Sequence, residues 1–399
     1  DKGNLRAADF CYNGTNPEGR IPILSSPRLK VLQLMVTLSV GGAEELVAAF
    51  VKGLNPARFS VQAATIGPPG PIGEELTRAG YPLISLGVDI NHSSTLRVAL
   101  AVRRLLKELK PDILHTHLYH PNLYGRLAAW GLGLPGVIAE VHNSYTAVKL
   151  HRRLWNRLLS RVSHCVVAVS PQVMEDVRRY DRVPPGKLRL LPNGIDLAAL
   201  NVPCSREEAK ARLGVTGFCI GAVGRLEEQK GHTYLLDAAL RLQGEIPDLT
   251  VLLAGEGRQE AALKQQARDL GIQEMVRFLG TRRDMPWIFR ALDLYVQPSL
   301  WEGLSLALLM AMGAGLPVAA SRVSGSQEVI EEGVNGVLLP PADAPALAAA
   351  IRDLYHQPQP RELLGDAARR TVAQKYSQDL MLRRLEGLYL ELWEQGKTA

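Results

Sequence analysis

Cysteine is scarce, with only Cys11, Cys165, Cys204 and Cys219 in 399 residues, and no two of them stand close enough to form a chelating or redox pair. A disulfide scaffold and a cysteine-built zinc site are therefore excluded, and a reducing, cytoplasmic setting is expected. Cys165 and Cys219 sit inside apolar runs and read as small core residues. Long apolar runs are missing too. The longest, such as Leu304 to Met312, are far too short to span a bilayer. Aromatic residues make up 6% of the chain, and no aromatic-studded basic groove emerges, so nucleic acid is not an expected partner.

The remaining composition, 46% hydrophobic and 22% charged, is that of a globular protein, and 399 residues call for two domains. The net charge of +6 is uneven. Residues 1–200 carry 24 Lys and Arg against 15 Asp and Glu, while the remainder carries 22 against 25. A basic first half suits an acidic partner, either a phosphate-bearing acceptor or an anionic membrane surface.

Residues 1–27 lack periodicity and read as an irregular tail. From Leu29 onward, short apolar runs alternate with helical patterns. Strands are expected at Val31 to Met35, Phe59 to Ile66, Asp112 to Thr116, Val137 to Val141, Cys165 to Val169 and Leu188 to Leu191. The plan then repeats, with strands at Phe218 to Val223, Thr250 to Ala254, Val276 to Leu279, Leu294 to Gln297, Val318 to Ala320 and Val337 to Leu339. Strand–helix alternation implies α/β architecture: two doubly wound, Rossmann-like parallel-sheet domains facing a cleft. We place the first domain at 28–200 and the second at 201–375. A closing helix at about 376–395, with leucines at helical spacing, is expected to pack back.

The most informative stretch is Ile220 to Gly231. An apolar strand ends at Gly224, and the following loop carries Arg225 and Lys230 before a helical pattern begins. Two cations at a strand's carboxyl end beside a helix amino terminus suit a multiply charged anion such as a diphosphate. At a second strand–helix junction, Glu302 offers a carboxylate for sugar hydroxyls, and Gly303, Leu304, Ser305 and Leu306 offer backbone amides. Gly41 and Gly42 follow the first strand and let backbone approach a ligand closely, whereas Glu44 and Glu45 read as acidic residues at a helix start. A cation clamp with a hydroxyl-binding carboxylate fits a nucleotide sugar better than a plain nucleotide.

These elements resemble the family-4 glycosyltransferases of the GT-B fold (glycosyl transferases group 1). The resemblance runs from about Lys30 to Trp393. It rests on Gly41-Gly42-Ala43-Glu44, His115-Thr116-His117, Val141-His142-Asn143, Pro192-Asn193-Gly194-Ile195-Asp196, Gly224-Arg225-Leu226 through Lys230-Gly231, Ala254-Gly255-Glu256-Gly257, Phe278-Leu279-Gly280 and Pro298-Ser299-Leu300-Trp301-Glu302-Gly303. It implies a retaining transfer of a sugar from a nucleoside diphosphate, UDP above all, to a glycan or lipid-linked acceptor. His142 would lie near the anomeric carbon, and Gly280 and Arg282 would line the base pocket, the latter mainly through backbone. Arg225, Lys230, His142 and Glu302 are the expected catalytic set.

One departure stands out. The family pattern has a second glutamate eight residues after the first, gripping the ribose, and here that position is Met310. A catalytically weakened, nucleotide-sugar-binding relative is therefore the second reading. A two-domain solute-binding protein would not need the diphosphate clamp. His115, His117 and His120 have chelating spacing, but no carboxylate or cysteine completes the set nearby, and the fold class works without a bound metal. We expect no metal and no cofactor. Around Lys149 to Arg161, basic residues lie on one arc of a helix and Leu150, Leu154, Trp155, Leu158 and Leu159 on the other. The plainer expectation is a core-facing helix with a solvated basic side. The alternative is an interfacial helix on an anionic membrane.

Overall fold

The computed structural model describes residues 28–142 and 150–398. The expected tail, Asn143 and Lys149 lie outside the described residues. Seven strands form the first sheet: β1 (Leu29–Met35), β2 (Phe59–Thr65), β3 (Leu83–Ser85), β4 (Ile113–His117), β5 (Gly136–Val141), β6 (Cys165–Ala168) and β7 (Leu188–Leu190). Between them run α1 (Gly42–Gly53), α2 (Gly70–Arg78), α3 (Thr95–Leu109), α4 (Tyr119–Ala129), α5 (Leu150–Leu159) and α6 (Pro171–Asp176). After α7 (Arg206–Arg212) comes a six-stranded sheet of β8 (Cys219–Val223), β9 (Thr250–Ala254), β10 (Val276–Gly280), β11 (Leu294–Gln297), β12 (Val318–Ser321) and β13 (Val337–Leu339). Its helices are α8 (His232–Leu242), α9 (Glu260–Asp269), α10 (Met285–Ala291), α11 (Leu306–Gly313), α12 (Ser324–Gln327), α13 (Ala344–His356) and α14 (Pro358–Lys375); α15 (Gln378–Thr398) closes the chain.

All pairings between these strands are parallel. Helices cover both faces of such sheets, so their strands are buried on both sides and read as unbroken apolar runs. The strand orders are 3-2-1-4-5-6-7 and 10-9-8-11-12-13. Each sheet reverses direction once, at β1/β4 and at β8/β11, and crevices open at the carboxyl ends of the strands at such switch points.

Two chain crossings join the halves and lie side by side. Ile195 donates its N–H to Tyr376 O at 2.9 Å, and Gln378 donates to Ile195 O at 2.9 Å. Past that ladder α15 turns back onto the first sheet. Met381, Leu382, Leu385, Leu388, Tyr389 and Leu392 recur at helical spacing and are buried with Phe50, Phe59, Ile113 and Ile138. Another apolar cluster spans the junction, joining Val169, Val173 and Val177 to Leu304, Leu308, Met312 and Ile330. The halves are thus held close, with their switch points facing.

α5 departs from the plainer expectation. Within the helix only Leu159 is buried. Leu150, Leu154, Trp155 and Leu158 are 71%, 58%, 40% and 38% exposed. The flanking arginines turn inward instead: Arg152 lies over the Tyr119 ring at 4.3 Å and Arg153 over Tyr180 at 4.3 Å. Stacking on those rings takes up the inner face and leaves the leucines outside.

Candidate active site

The loop after β8 and the loop before α11 are laced together, which explains how residues some seventy positions apart meet. Leu300 donates its N–H to Gln229 O at 2.8 Å, and Gln229 Nε2 donates to Trp301 O at 2.9 Å. Gly231 has φ 63°, and a Cβ there would stand 2.1 Å from Pro298 O, so the close approach requires glycine. Within this knot Lys230 Nζ lies 2.5 Å from Glu302 Oε1. Ser299 Oγ donates to the same oxygen at 2.8 Å, and Ser324 Oγ donates to Glu302 O at 2.8 Å. The side chains of Lys230 and Glu302 remain 16% and 7% exposed. Arg225 is exposed beside them and, among the described residues, forms no ion pair. The loop after β8 therefore offers an exposed guanidinium and an ammonium that an incoming anion could take from its carboxylate.

Ser305 caps α11, its hydroxyl accepting from Leu308 N at 3.3 Å. The first-turn amides of α11, beginning at Leu306, have no partner within the helix and face an anion favourably. Leu304 O accepts from Asn193 Nδ2 at 2.8 Å, tying this loop to the interdomain crossing. Gly303 is pressed against α12, where a Cβ on Gly325 would overlap Gly303 O at 1.4 Å. Met310, on the next turn of α11, is half-buried and packs against the apolar cluster that spans the junction. Gly280 ends β10 with φ 63°, and its carbonyl accepts from Gly255 N at 2.8 Å. Arg282 is engaged by Asp284 at 2.8 and 2.7 Å, so its side chain is occupied.

From the first domain, the Gly41–Gly42 loop reaches this site. A Cβ on Gly42 would lie 3.5 Å from Leu306 Cδ1 of the second domain. Glu44 folds back over Gly41, with Ser39 Oγ donating to its Oε1 at 3.4 Å. Burial raises the Glu44 carboxyl above its usual value, and the charge of Arg225 partly lowers it again. Glu44 and Glu45 both stand in the first turn of α1, as the helix-start reading expects, and the charge of Arg225 also reaches Glu44. Glu45 joins a bridge that spacing did not reveal. Arg283, just past the base-pocket loop, contacts Glu45 at 2.6 Å and also pairs with Glu75.

His142 directly follows β5, with its side chain 8% exposed and its Nε2 3.9 Å from Glu140 Oε1. Burial pushes its pKa down to about 4, partly opposed by the Glu140 charge, so it is neutral at physiological pH. The reading that no carboxylate stands near the paired histidines is corrected here. Glu140 of β5 lies 3.0 Å from His115 Nε2 and 3.2 Å from His117 Nδ1. His120 does not join them, stacking instead on Tyr124 in α4. Burial opposes ionisation of Glu140, and the imidazoles of His142, His115 and His117 outweigh it, holding the carboxyl well below the usual range. Glu140 entered no sequence motif. Its one signal was a lone carboxylate inside an apolar strand.

Two family models match the chain, Glycosyltransferase Family 4 over residues 40–199 and Glycosyl transferases group 1 over residues 205–371. The chain belongs to the family-4, group 1 glycosyltransferases. It is 31% identical over 252 residues to the UDP-Gal:alpha-D-GlcNAc-diphosphoundecaprenol alpha-1,3-galactosyltransferase of Escherichia coli, covering 60% of this chain and 65% of that one. The match thus spans under two thirds of that relative's length. The putative glycosyltransferase EpsF of Bacillus subtilis is 29% identical over 311 residues, covering 75% and 80% of the two chains. The fold of HepE from Anabaena, solved with UDP and glucose, superposes with a TM-score of 0.82 at 22% identity, covering 91% of this chain and all of that one. That likeness establishes the two-domain GT-B architecture of the family.

Proposed function

We propose that this glycosyltransferase moves a sugar from a nucleoside diphosphate, UDP above all, to an acceptor hydroxyl on a lipid-linked glycan, with retention of anomeric configuration. The observation that carries the reading is the Lys230–Glu302 pair with the unpaired Arg225 beside it at the β8/β11 switch point. The diphosphate takes up Lys230 and Arg225 and frees Glu302 for the sugar hydroxyls. As the sugar leaves, charge builds on the diphosphate, and the two cations with the α11 amides stabilise it without a metal ion there. Front-face displacement, with the leaving phosphate accepting the acceptor's proton, accounts for retention. His142, neutral at the edge of the cleft, contacts the sugar.

The acceptor class draws support from the activity of the E. coli relative, which acts on a diphosphoundecaprenol substrate. It also draws support from α5, whose exposed Leu150, Leu154, Trp155 and Leu158 sit beside the exposed Arg157 and Arg161. That mixture suits peripheral seating on an anionic membrane. Among the described residues no helix is long and apolar enough to cross a bilayer.

Turnover is measured with a panel of UDP- and GDP-sugars, with the product anomer read by NMR. Arg225→Ala should lower transfer at least about 100-fold; unchanged turnover would remove the clamp. Tight UDP binding without turnover on any donor would favour the second reading, a weakened relative, for which Met310 speaks. For α5, co-sedimentation with phosphatidylglycerol vesicles should be lost in Leu154→Ser/Trp155→Ser.

A further inference from the structure

We propose that His115, His117 and Glu140 form a buried structural site for one divalent transition-metal ion of the zinc class. His115 and His117 alternate on β4 and so share one face, while Glu140 on β5 is the register partner of His117. All three side chains are 0–1% exposed. Their facing atoms, His115 Nε2, His117 Nδ1 and Glu140 Oε2, lie within 4.8 Å of one another. The two nitrogen–oxygen distances are 3.0 and 3.2 Å, yet none of these three atoms has a hydrogen bond of acceptable geometry. Buried polar atoms are seldom left so, and three converging on one point need a common partner.

The outward nitrogens are partnered. His115 Nδ1 lies 2.8 Å from Tyr389 Oη, and His117 Nε2 lies 2.7 Å from Gln33 Oε1. Gln33 Nε2 donates to Tyr389 Oη at 2.8 Å. That donation leaves Gln33 Oε1 as an acceptor, so His117 carries its proton on Nε2. In that arrangement its Nδ1 lone pair faces a carboxylate oxygen, and an ion held between the two satisfies both. Ligating histidines characteristically donate their second N–H to a polar neighbour, as the pairing with Gln33 provides here. A tetrahedral ion with bonds of about 2.1 Å separates its ligands by about 3.4 Å, close to the observed spacing. Two imidazoles and one carboxylate favour zinc and its neighbours over magnesium or calcium.

The ion would tie β4 to β5 and, through Tyr389, hold α15 on the first sheet. It lies in the first domain, away from the diphosphate clamp, and the inference does not depend on the proposed transfer reaction.

The test is made on the full chain, refolded with and without zinc and passed through a chelating column. About one zinc per chain should remain, and be released to a chromogenic chelator only on unfolding. Cobalt(II) in its place should give visible bands of a four- or five-coordinate nitrogen–oxygen site. His117→Gln, which keeps a hydrogen-bonding side chain, should lower the metal content at least tenfold. Less than a tenth of an equivalent bound by the folded wild-type chain would overturn the proposal. So would histidine nitrogen NMR of that chain showing His117 protonated on both ring nitrogens, because the positive centre would then be a proton.

Discussion

Each half of the molecule buries a carboxylate against a nitrogen base at its switch point, and the two pairs are built differently. In the second half Glu302 is buried in a knot of loops but meets Lys230, whose side chain keeps 16% of its surface exposed. In the first half Glu140 meets His115 and His117 in the middle of a sheet, sealed beneath α1 and α15. A pair that touches solvent can exchange its partner for a ligand at modest cost. One sealed in the interior cannot, because separating its charges leaves them without water. The difference fits the roles proposed above, chemistry for the first and architecture for the second.

Glu140→Ala should break this contrast most visibly, costing about 3–5 kcal/mol of stability in denaturant unfolding, whereas Glu302→Ala should cost less, because the Lys230 ammonium it leaves is 16% exposed and can be hydrated. Similar losses for both would mean that the two carboxylates are equally structural. Lys230→Ala should lower the transfer rate constant by about 10²–10³-fold while leaving the circular dichroism spectrum unaltered. A normal rate would show the diphosphate held elsewhere.

The pH dependence sharpens the comparison from another side. His232 begins α8 directly behind Lys230, and burial, reinforced by the Lys230 charge, pushes its pKa down from 6.5 to about 4. The unfolded chain therefore takes up a proton first as pH falls. His232 should withdraw stability on the order of 1.4 kcal/mol per pH unit between 6.5 and 4, and His232→Asn should flatten that part of the melting-temperature profile. Met310→Glu is the subtlest change. A restored carboxylate should tighten UDP-sugar binding by about 1.5–3 kcal/mol in calorimetry, and no gain would place the ribose on other groups.

The strands of both sheets were legible because buried parallel strands are apolar throughout. β3 escaped because Leu83 to Ser85 is short and only half-buried. α4 escaped because it is buried almost all round and carries Pro121 and Gly125, which hide helical periodicity. In the site, Arg225, Lys230 and Glu302 stood out because charged residues just beyond apolar strands need a reason to be there. Glu140 and Arg283 did not, since their partners come from other strands or the other domain. For α5 the amphipathic pattern was visible, but not which face turns outward. That was decided by Tyr119 and Tyr180, which take up Arg152 and Arg153.

From its order of residues alone, this chain determines two strand-and-helix repeats and a cation-bearing loop at one strand end, because periodicity and local charge are properties of neighbours in sequence. Which carboxylate each base meets was decided only in three dimensions. Parallel pairing sets Glu140 opposite His117, the glycine-tight loops set Glu302 on Lys230, and α15 brings Tyr389 back to His115, contacts that follow from register and chain return across hundreds of residues.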